Sequence, residues 1–179
     1  DAEDSSHLYQ IEAWGGGYFG VNAAGHVVVR PDQQAGREID LLDVVEGLKA
    51  RDLTAPLVIR FSDIIAHRLR CLHDAFATAI VENDYKNRYQ AVFPIKVNQQ
   101  RLVVEEVYRS GREFGFGLEA GSKPELLVVM AIAEDTDRVI ICNGFKDDSY
   151  IETVMLAAKL GRHIIPVVEN FLELGLILK

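Results

Sequence analysis

The chain has 179 residues, with 27 acidic and 19 basic side chains and a formal net charge of −8. This acidic balance argues against nucleic acid or an anionic membrane as a partner, because phosphate-binding surfaces need clustered lysine and arginine. Only two cysteines occur, in neither a CxxC nor a CxxH pair, and no apolar run approaches the roughly 20 residues that cross a bilayer. We therefore expect a globular, cytoplasmic protein.

The first 52 residues differ in pattern from the rest of the chain. Residues 18–22 and 26–30 are short β-rich segments on either side of a glycine turn, which indicates a hairpin. Apolar residues recur at helical spacing over residues 41–48, and Asp40 precedes them as a candidate N-cap. We predict that residues 1–52 form a β-hairpin and a helix that belong to a second, β-rich domain.

From residue 53 onward, short apolar runs alternate with amphipathic helical segments. The five runs are residues 57–61, 91–97, 114–118, 139–142 and 164–168. The helices are predicted to start near Ser62, Gln100, Lys123, Asp147 and Asn170. Buried strands that alternate with helices are typical of a parallel sheet. No GxGxxG motif follows the first run, so the pattern favours a (β/α)8 barrel over a dinucleotide-binding fold.

A barrel of this kind takes about 250 residues. Residues 53–179 therefore account for about five of its eight βα units, and Lys179 lies in a helical pattern that has no terminator. We predict that the chain is the N-terminal part of a longer α/β protein, in which residues 53–179 form a partial, truncated barrel.

Lys96 carries the most chemical information in the chain. It lies near the carboxyl end of the second predicted strand, where barrel enzymes place their reactive groups. Burial disfavours the ammonium form of a lysine, and the neutral amine attacks a carbonyl carbon to form an imine. We therefore expect Lys96 to be buried and nucleophilic. Physical reasoning alone leaves open the alternative that its amine reaches water from the strand end.

The residues around Lys96 resemble a known family. Residues 93–99 read FPIKVNQ and are similar to the YPIKVNQ motif of biosynthetic arginine decarboxylases, with Phe93 in place of the tyrosine. Further matches follow in the same order as in the family, at residues 18–22, 57–63, 117–126 and 141–147. Because the similarity extends over nearly the whole chain, it is far more specific than one short motif.

This resemblance implies a pyridoxal 5′-phosphate (PLP) enzyme with an alanine-racemase-like barrel, fold type III. The implied reaction is decarboxylation of L-arginine to agmatine and CO₂, a step toward polyamines such as putrescine and spermidine. Lys96 would bind the cofactor as a Schiff base and then take part in proton transfer. The resemblance also implies a homodimer or larger homo-oligomer and Mg²⁺, with the phosphate-binding loop, the partner of the pyridine nitrogen and the substrate guanidinium site after Lys179.

Other polar residues at the predicted strand ends are candidates for the same site. Glu119 is a candidate catalytic residue near Lys96, whereas Asn143 and Arg60 are candidate cofactor-binding residues. The alternatives are a solvated acid for Glu119, a plain βα turn for Asn143 and a structural ion pair for Arg60. Glu125 is expected to cap a helix rather than to act in catalysis. No residue is predicted to be a metal ligand.

Two alternative functions remain open on the sequence. Diaminopimelate, ornithine and carboxynorspermidine decarboxylases share the barrel and its lysine, and CO₂ release from each substrate would distinguish them from the arginine enzymes. In the other alternative, the 179-residue chain is a non-catalytic fragment or interaction domain, since the phosphate-binding loop is expected outside it. We expect the 179-residue chain alone to be incomplete and inactive.

Overall fold

The computed structural model describes residues 1–34 and 36–178. Their contacts divide the chain into two compact units, Asp1–His67 and Arg68–Lys179. This division falls inside a helix, whereas the domain boundary predicted from the sequence lies between residues 52 and 53. That boundary stays a prediction.

The first unit contains an antiparallel sheet and short helices. Its elements are α1 (Ala2–Leu8), α2 (Ile11–Gly15), β1 (Phe19–Val21), β2 (Val27–Val29), β3 (Ile39–Asp40) and α3 (Leu41–Lys49). β1 pairs with β2 as the predicted hairpin, and β3 pairs with the other edge of β2. The Asp40 carboxylate accepts a hydrogen bond from the Leu42 N–H, which explains why α3 starts there.

One predicted strand is wrong. Residues 57–61 have no regular structure, and Val58 within them is 82% exposed. An apolar run becomes a strand only where a neighbouring strand supplies hydrogen-bond partners, and none pairs with this run among the described residues. The long helix α4 (Ser62–Glu82) begins at Ser62, as predicted, and contains the division between the two units.

The second unit is a parallel sheet with helices between its strands. The strands are β4 (Val92–Pro94), β5 (Gly117–Ala120), β6 (Ile140–Cys142) and β7 (Ile164–Pro166), in the order β4-β5-β6-β7. The helices that follow them are α5 (Arg101–Ser110), α6 (Lys123–Ile132), α7 (Asp148–Lys159) and α8 (Phe171–Ile177). Four consecutive βα units, whose parallel strands neighbour one another in chain order, confirm the predicted fold class.

Local capping sets the starts of three of these helices. Ser122, Asp147 and Asn170 have extended backbones, and their side chains accept hydrogen bonds from the first-turn N–H groups of α6, α7 and α8. Each such cap stabilises a helix by about 1 kcal/mol. The helix starts predicted at Lys123, Asp147 and Asn170 are therefore confirmed within one residue.

The sheet buries one face against the helices. On that face Leu118, Ala120, Ile140 and Cys142 are at most 1% exposed and pack with residues of α5, α6 and α7. The register aligns a different row on the opposite face: Pro94, Glu119, Ile141 and Ile165. Glu119 is thus the charged member of an otherwise apolar row, and it faces away from the helices.

Candidate active site

Lys96 lies in a turn rather than in a strand. β4 ends at Pro94, which has no N–H for the ladder, and residues Ile95–Val97 form one turn of 3₁₀ helix closed by a bond from the Asn98 N–H to the Ile95 carbonyl. The Lys96 side chain is 60% exposed. The expectation of a buried lysine is therefore wrong for this chain, because the strand alternation that placed it inside stops two residues earlier.

Glu119 lies beside Lys96. Its carboxylate Oε1 is 3.8 Å from Lys96 Nζ, and its side chain is only 14% exposed. That distance is too long for a hydrogen bond but short enough for attraction between the charges. Because the lysine is mostly in water, the contact contributes only about 0.2–1 kcal/mol, so its effect is to orient the ammonium rather than to stabilise the fold.

Glu125 connects the loop of Lys96 to the loop that follows β5. Its Oε2 accepts a hydrogen bond from the Gly121 N–H at 2.7 Å, and its Oε1 accepts one from Gln99 Nε2 at 2.9 Å. Its own N–H donates to Ser122 Oγ at 3.4 Å. Both carboxylate oxygens are thus used in holding two loops together, in line with the structural role expected for this residue.

Asn143 follows β6 at the same edge of the sheet. Its N–H donates to the Ala120 carbonyl at 2.9 Å, and its side chain is half-buried. The next residue, Gly144, has φ +76° and lies so close to β5 that a Cβ on it would be 2.1 Å from the Gly121 carbonyl oxygen. Only glycine fits this approach. The assignment of Asn143 to the cofactor stays a prediction.

Arg60 belongs to the first compact unit. It lies in the exposed segment between α3 and α4 that has no regular structure. Its assignment to the cofactor also stays a prediction. Of the four candidate residues, the structure brings Lys96 and Glu119 into contact and places Asn143 two strands away from Lys96, at the same edge of the sheet.

Sequence reasoning missed a buried ion pair next to Asn143. Lys146 and Glu173 have side chains that are 0% and 1% exposed, and Lys146 Nζ is 3.3 Å from Glu173 Oε2. Burial opposes ionisation of Glu173, but hydrogen bonds from the N–H groups of Glu169 and Lys146, together with the ammonium, lower the pKa of this carboxyl below its usual range. Glu173 is therefore ionised near neutral pH.

A buried tyrosine was missed as well. Tyr150 on α7 is 2% exposed, and its hydroxyl donates to the Ala120 carbonyl at 3.0 Å, with the Asn143 carbonyl 3.5 Å away. Burial, followed by the nearby Cys142 thiol, raises its pKa well above the usual range. The tyrosine therefore stays neutral, and its hydroxyl connects the carboxyl ends of β5 and β6.

Cys142 is expected to be unreactive in the native protein. Burial raises the pKa of its thiol from 9.0 to about 11, so at pH 8 it carries about 100-fold less thiolate than an ordinary cysteine. We expect iodoacetamide at pH 8 to alkylate Cys142 at least about 100-fold more slowly in native full-length protein than in urea. Peptide mass mapping measures both rates, and equal rates in the two conditions would contradict the burial of the Cys142 thiol.

Metal and membrane features are absent from the described part of the chain. Within residues 1–34 and 36–178, no three histidine, cysteine or acidic side chains are grouped so that they could hold a metal ion. Over the same residues, no helix combines the length and the apolar character that crossing a bilayer requires.

The family is decided by a match to a family model. Residues 68–179 match the pyridoxal-binding domain of pyridoxal-dependent decarboxylases. The chain belongs to this family. The match starts at the first residue of the second compact unit and includes Lys96, Glu119 and Asn143.

Relatives in the family are similar over almost the whole chain. The biosynthetic arginine decarboxylase of Synechococcus sp. is 52% identical over 166 residues, which are 93% of this chain and 26% of that protein. The biosynthetic arginine decarboxylase of Phocaeicola vulgatus is 50% identical over 177 residues, which are 99% of this chain and 28% of that protein. The chain therefore spans about a quarter of the length of the curated relatives it matches.

A solved structure has the same fold. The crystal structure of the biosynthetic arginine decarboxylase SpeA from Campylobacter jejuni superposes with a TM-score of 0.86 at 33% identity, over 94% of this chain and 28% of that one. This confirms the fold class expected for the chain, an α/β fold that forms the N-terminal part of a PLP-binding barrel and is preceded by an antiparallel hairpin.

The residues at the sheet edge fit a cofactor that carries an aldehyde. Lys96 supplies an accessible primary amine, and a carboxylate lies 3.8 Å from it. Gly121 borders the lysine side chain, since a Cβ there would lie 4.0 Å from Lys96 Cδ and 3.4 Å from Glu125 Oε2. Pyridoxal phosphate is held through a Schiff base between its aldehyde carbon and a lysine amine. Lys96 supplies such an amine at the carboxyl edge of the parallel sheet.

Proposed function

We propose that the full-length protein is a carboxy-lyase that decarboxylates L-arginine to agmatine and CO₂ with pyridoxal 5′-phosphate, in polyamine biosynthesis. The observation that carries this proposal is the accessible Lys96 amine beside Glu119, at the carboxyl edge of a sheet whose family binds pyridoxal phosphate. Relatives at 50–52% identity are arginine decarboxylases, which favours arginine over the other substrates of the family.

The reaction breaks the bond between Cα and the carboxylate carbon of arginine, and a proton takes the place of the departing CO₂. Pyridoxal phosphate, when bound, supplies an electron-accepting ring for the electron pair left on Cα. Lys96 Nζ would be the covalent anchor of the cofactor, and its amine would also serve in proton transfer. Glu119 Oε1, 3.8 Å from Lys96 Nζ, orients that amine through charge attraction.

The neighbouring loops keep this edge rigid in our proposal. Glu125 ties the Lys96 loop to Gly121, and Gly144 packs against Gly121 from the next loop. Asn143, which precedes Gly144, and Arg60 remain candidates for cofactor contacts. The face that bears Glu119 also carries exposed apolar side chains, including Ile165 at 42%, and we propose that the remaining barrel strands of the full-length protein cover it and exclude water.

We further propose a cytoplasmic homodimer or larger homo-oligomer that has a small-molecule substrate and no nucleic-acid or membrane partner. The acidic net charge of −8 supports the last point. If the full-length enzyme requires Mg²⁺, as the family resemblance implies, we propose that its ligands lie outside the described residues of this chain, which hold no suitable group.

Substrate specificity tests the proposed function directly. We expect full-length protein loaded with pyridoxal phosphate to release CO₂ from L-arginine with a kcat/KM at least about 100-fold higher than from ornithine, lysine or diaminopimelate. The reason is that a site built to bind a guanidinium loses hydrogen bonds when the substrate carries no guanidinium. Release of ¹⁴CO₂ from each labelled substrate measures these values.

Two controls complete this measurement. The 179-residue segment alone is expected to release no CO₂ from any of the four substrates. Activity of the full-length protein confined to ornithine, lysine or diaminopimelate would contradict the assignment to arginine, and would leave the cofactor assignment intact.

A further inference from the structure

The buried ion pair between Lys146 and Glu173 is hard to explain by stability alone. Both side chains are at most 1% exposed, and removing two charges from water costs more than most such pairs regain. Apolar side chains of similar size at two buried positions often give an equally stable or more stable protein. A pair that does not stabilise the fold better than its apolar replacement needs another reason.

The geometry of the pair shows what it holds. Lys146 Nζ donates to the Gly144 carbonyl at 2.6 Å, and the Lys146 N–H donates to Glu173 Oε1 at 2.9 Å. The same carboxylate accepts bonds from the Glu169 N–H at 2.9 Å and from Asn170 Nδ2 at 3.0 Å. Glu173 therefore fixes the loop between β6 and α7 and the loop between β7 and α8 with one carboxylate.

The loop between β6 and α7 in turn contacts the loops nearer to Lys96. Gly144 donates its N–H to Glu169 Oε1 at 2.5 Å and lies against the Gly121 carbonyl. Glu125 joins Gly121 to Gln99, three residues after Lys96. Hydrogen bonds and one close backbone approach thus connect the buried pair, through Gly144, Gly121 and Glu125, to Gln99 in the loop after the lysine turn.

We propose that Lys146 and Glu173 are positioning residues, which fix the loop between β6 and α7 in the one conformation that lets this edge of the sheet bind pyridoxal phosphate. The inference rests on the proposed function, since it assigns the pair a part in the same site. Neither residue is a catalytic residue, because both act through Gly144 and its neighbours. An apolar pair could fill the same volume but could not direct four hydrogen bonds to these two loops.

The test uses full-length protein and three variants: Glu173→Gln, Lys146→Met and the double variant Lys146→Met/Glu173→Leu. Glu105→Gln is the matched control, because it removes a carboxylate from an exposed ion pair with Arg101 on α5. For each protein we would measure the Tm, the Kd for pyridoxal 5′-phosphate by absorbance titration, and the hydrogen exchange of the peptide that spans residues 143–149.

The single variants are expected to lower the Tm and to raise the Kd for pyridoxal phosphate by about 10–100-fold, which corresponds to about 1.4–2.8 kcal/mol of lost binding free energy. The double variant is expected to have a higher Tm than either single variant, because no charge is left unpaired, although the N–H groups of Lys146 and Glu169 lose their acceptor. Its Kd stays raised and its 143–149 peptide exchanges faster than in the wild type. The Glu105→Gln control matches the wild type in all three measurements.

Four outcomes would overturn the inference. Recovery of both the Tm and the Kd in the double variant, or single variants with a lowered Tm and an unchanged Kd, would assign the pair to stability alone. Failure of Glu173→Gln to fold would assign it to folding. If the wild type itself bound no pyridoxal phosphate, the proposed function would fail together with the inference, whereas the other outcomes leave the proposed function standing.

Discussion

Replacement of Lys96 by arginine in the full-length protein is expected to lower kcat for arginine decarboxylation by about 10⁴-fold or more. Arginine keeps the positive charge beside Glu119 but is not deprotonated in proteins, so it cannot bond covalently to an aldehyde carbon. The Tm measured without cofactor is expected to stay within about 2 °C of the wild type, because arginine keeps the positive charge and most of the length of the lysine side chain beside Glu119.

The attachment site provides an independent readout of the same prediction. Borohydride reduction in the presence of pyridoxal phosphate, followed by peptide mass mapping, is expected to label the wild type at Lys96 and to leave the variant unlabelled. Lys86→Arg is a suitable control, because Lys86 is an exposed lysine paired with Asp84 in the same unit. Labelling of a different lysine in the wild type would refute the assignment of the anchor.

Replacement of Gly144 by alanine is expected to be the most destabilising of the small substitutions at this edge. The new Cβ would lie 2.1 Å from the Gly121 carbonyl oxygen, at a residue whose φ of +76° already disfavours a side chain. Strain and overlap together cost about 3 kcal/mol or more, which lowers the Tm of the full-length variant.

Gly161→Ala separates these two causes. Gly161 has φ +80°, but a Cβ there would meet no atom within 4 Å, so the variant carries only the cost of the backbone conformation. That cost is about 1 kcal/mol, so the fall in Tm is expected to be about a third of the one caused by Gly144→Ala. Differential scanning fluorimetry on both full-length variants compares them. Equal shifts in Tm would show that the approach of Gly144 to Gly121 is looser than the structure has it.

The helices could be predicted well because their signals are local. Ser122, Asp147 and Asn170 each lie within three residues of the N–H groups that they cap, so residue type and spacing alone locate the helix starts. The order of strands and helices follows from the same local periodicities. The failure over residues 57–61 has the opposite cause, since strand formation depends on a partner that is distant in sequence.

The environment of Lys96 could not be predicted for a related reason. Strand alternation correctly separates the two faces of β5, but Pro94 ends β4 before the alternation reaches the lysine. Whether water reaches the Lys96 side chain depends on what covers the sheet edge, and no local sequence pattern encodes that. The contact with Glu119 was predictable, because the carboxyl ends of neighbouring parallel strands meet at one edge.

The buried ion pair of Lys146 and Glu173 could not be predicted from the sequence pattern. The two residues are 27 positions apart, and Lys146 is flanked by Phe145 and Asp147 in a segment that reads as an ordinary loop. The spacing of Asn170 and Glu173 is that of a capping box, which would have placed the carboxylate at the start of α8. That reading locates the carboxylate but not its cationic partner.

Pro94 has a consequence for how β4 meets a further neighbour. The register joins β5 to the backbone groups of Ala91 and Phe93, so position 94 directs its nitrogen to the other side of β4, where no strand lies among residues 1–34 and 36–178. A strand that paired with β4 on that side would receive no N–H hydrogen bond from position 94, so the ladder would be interrupted there. The proline thereby marks the level at which pairing on that side of β4 loses a hydrogen bond, directly before the turn that bears Lys96.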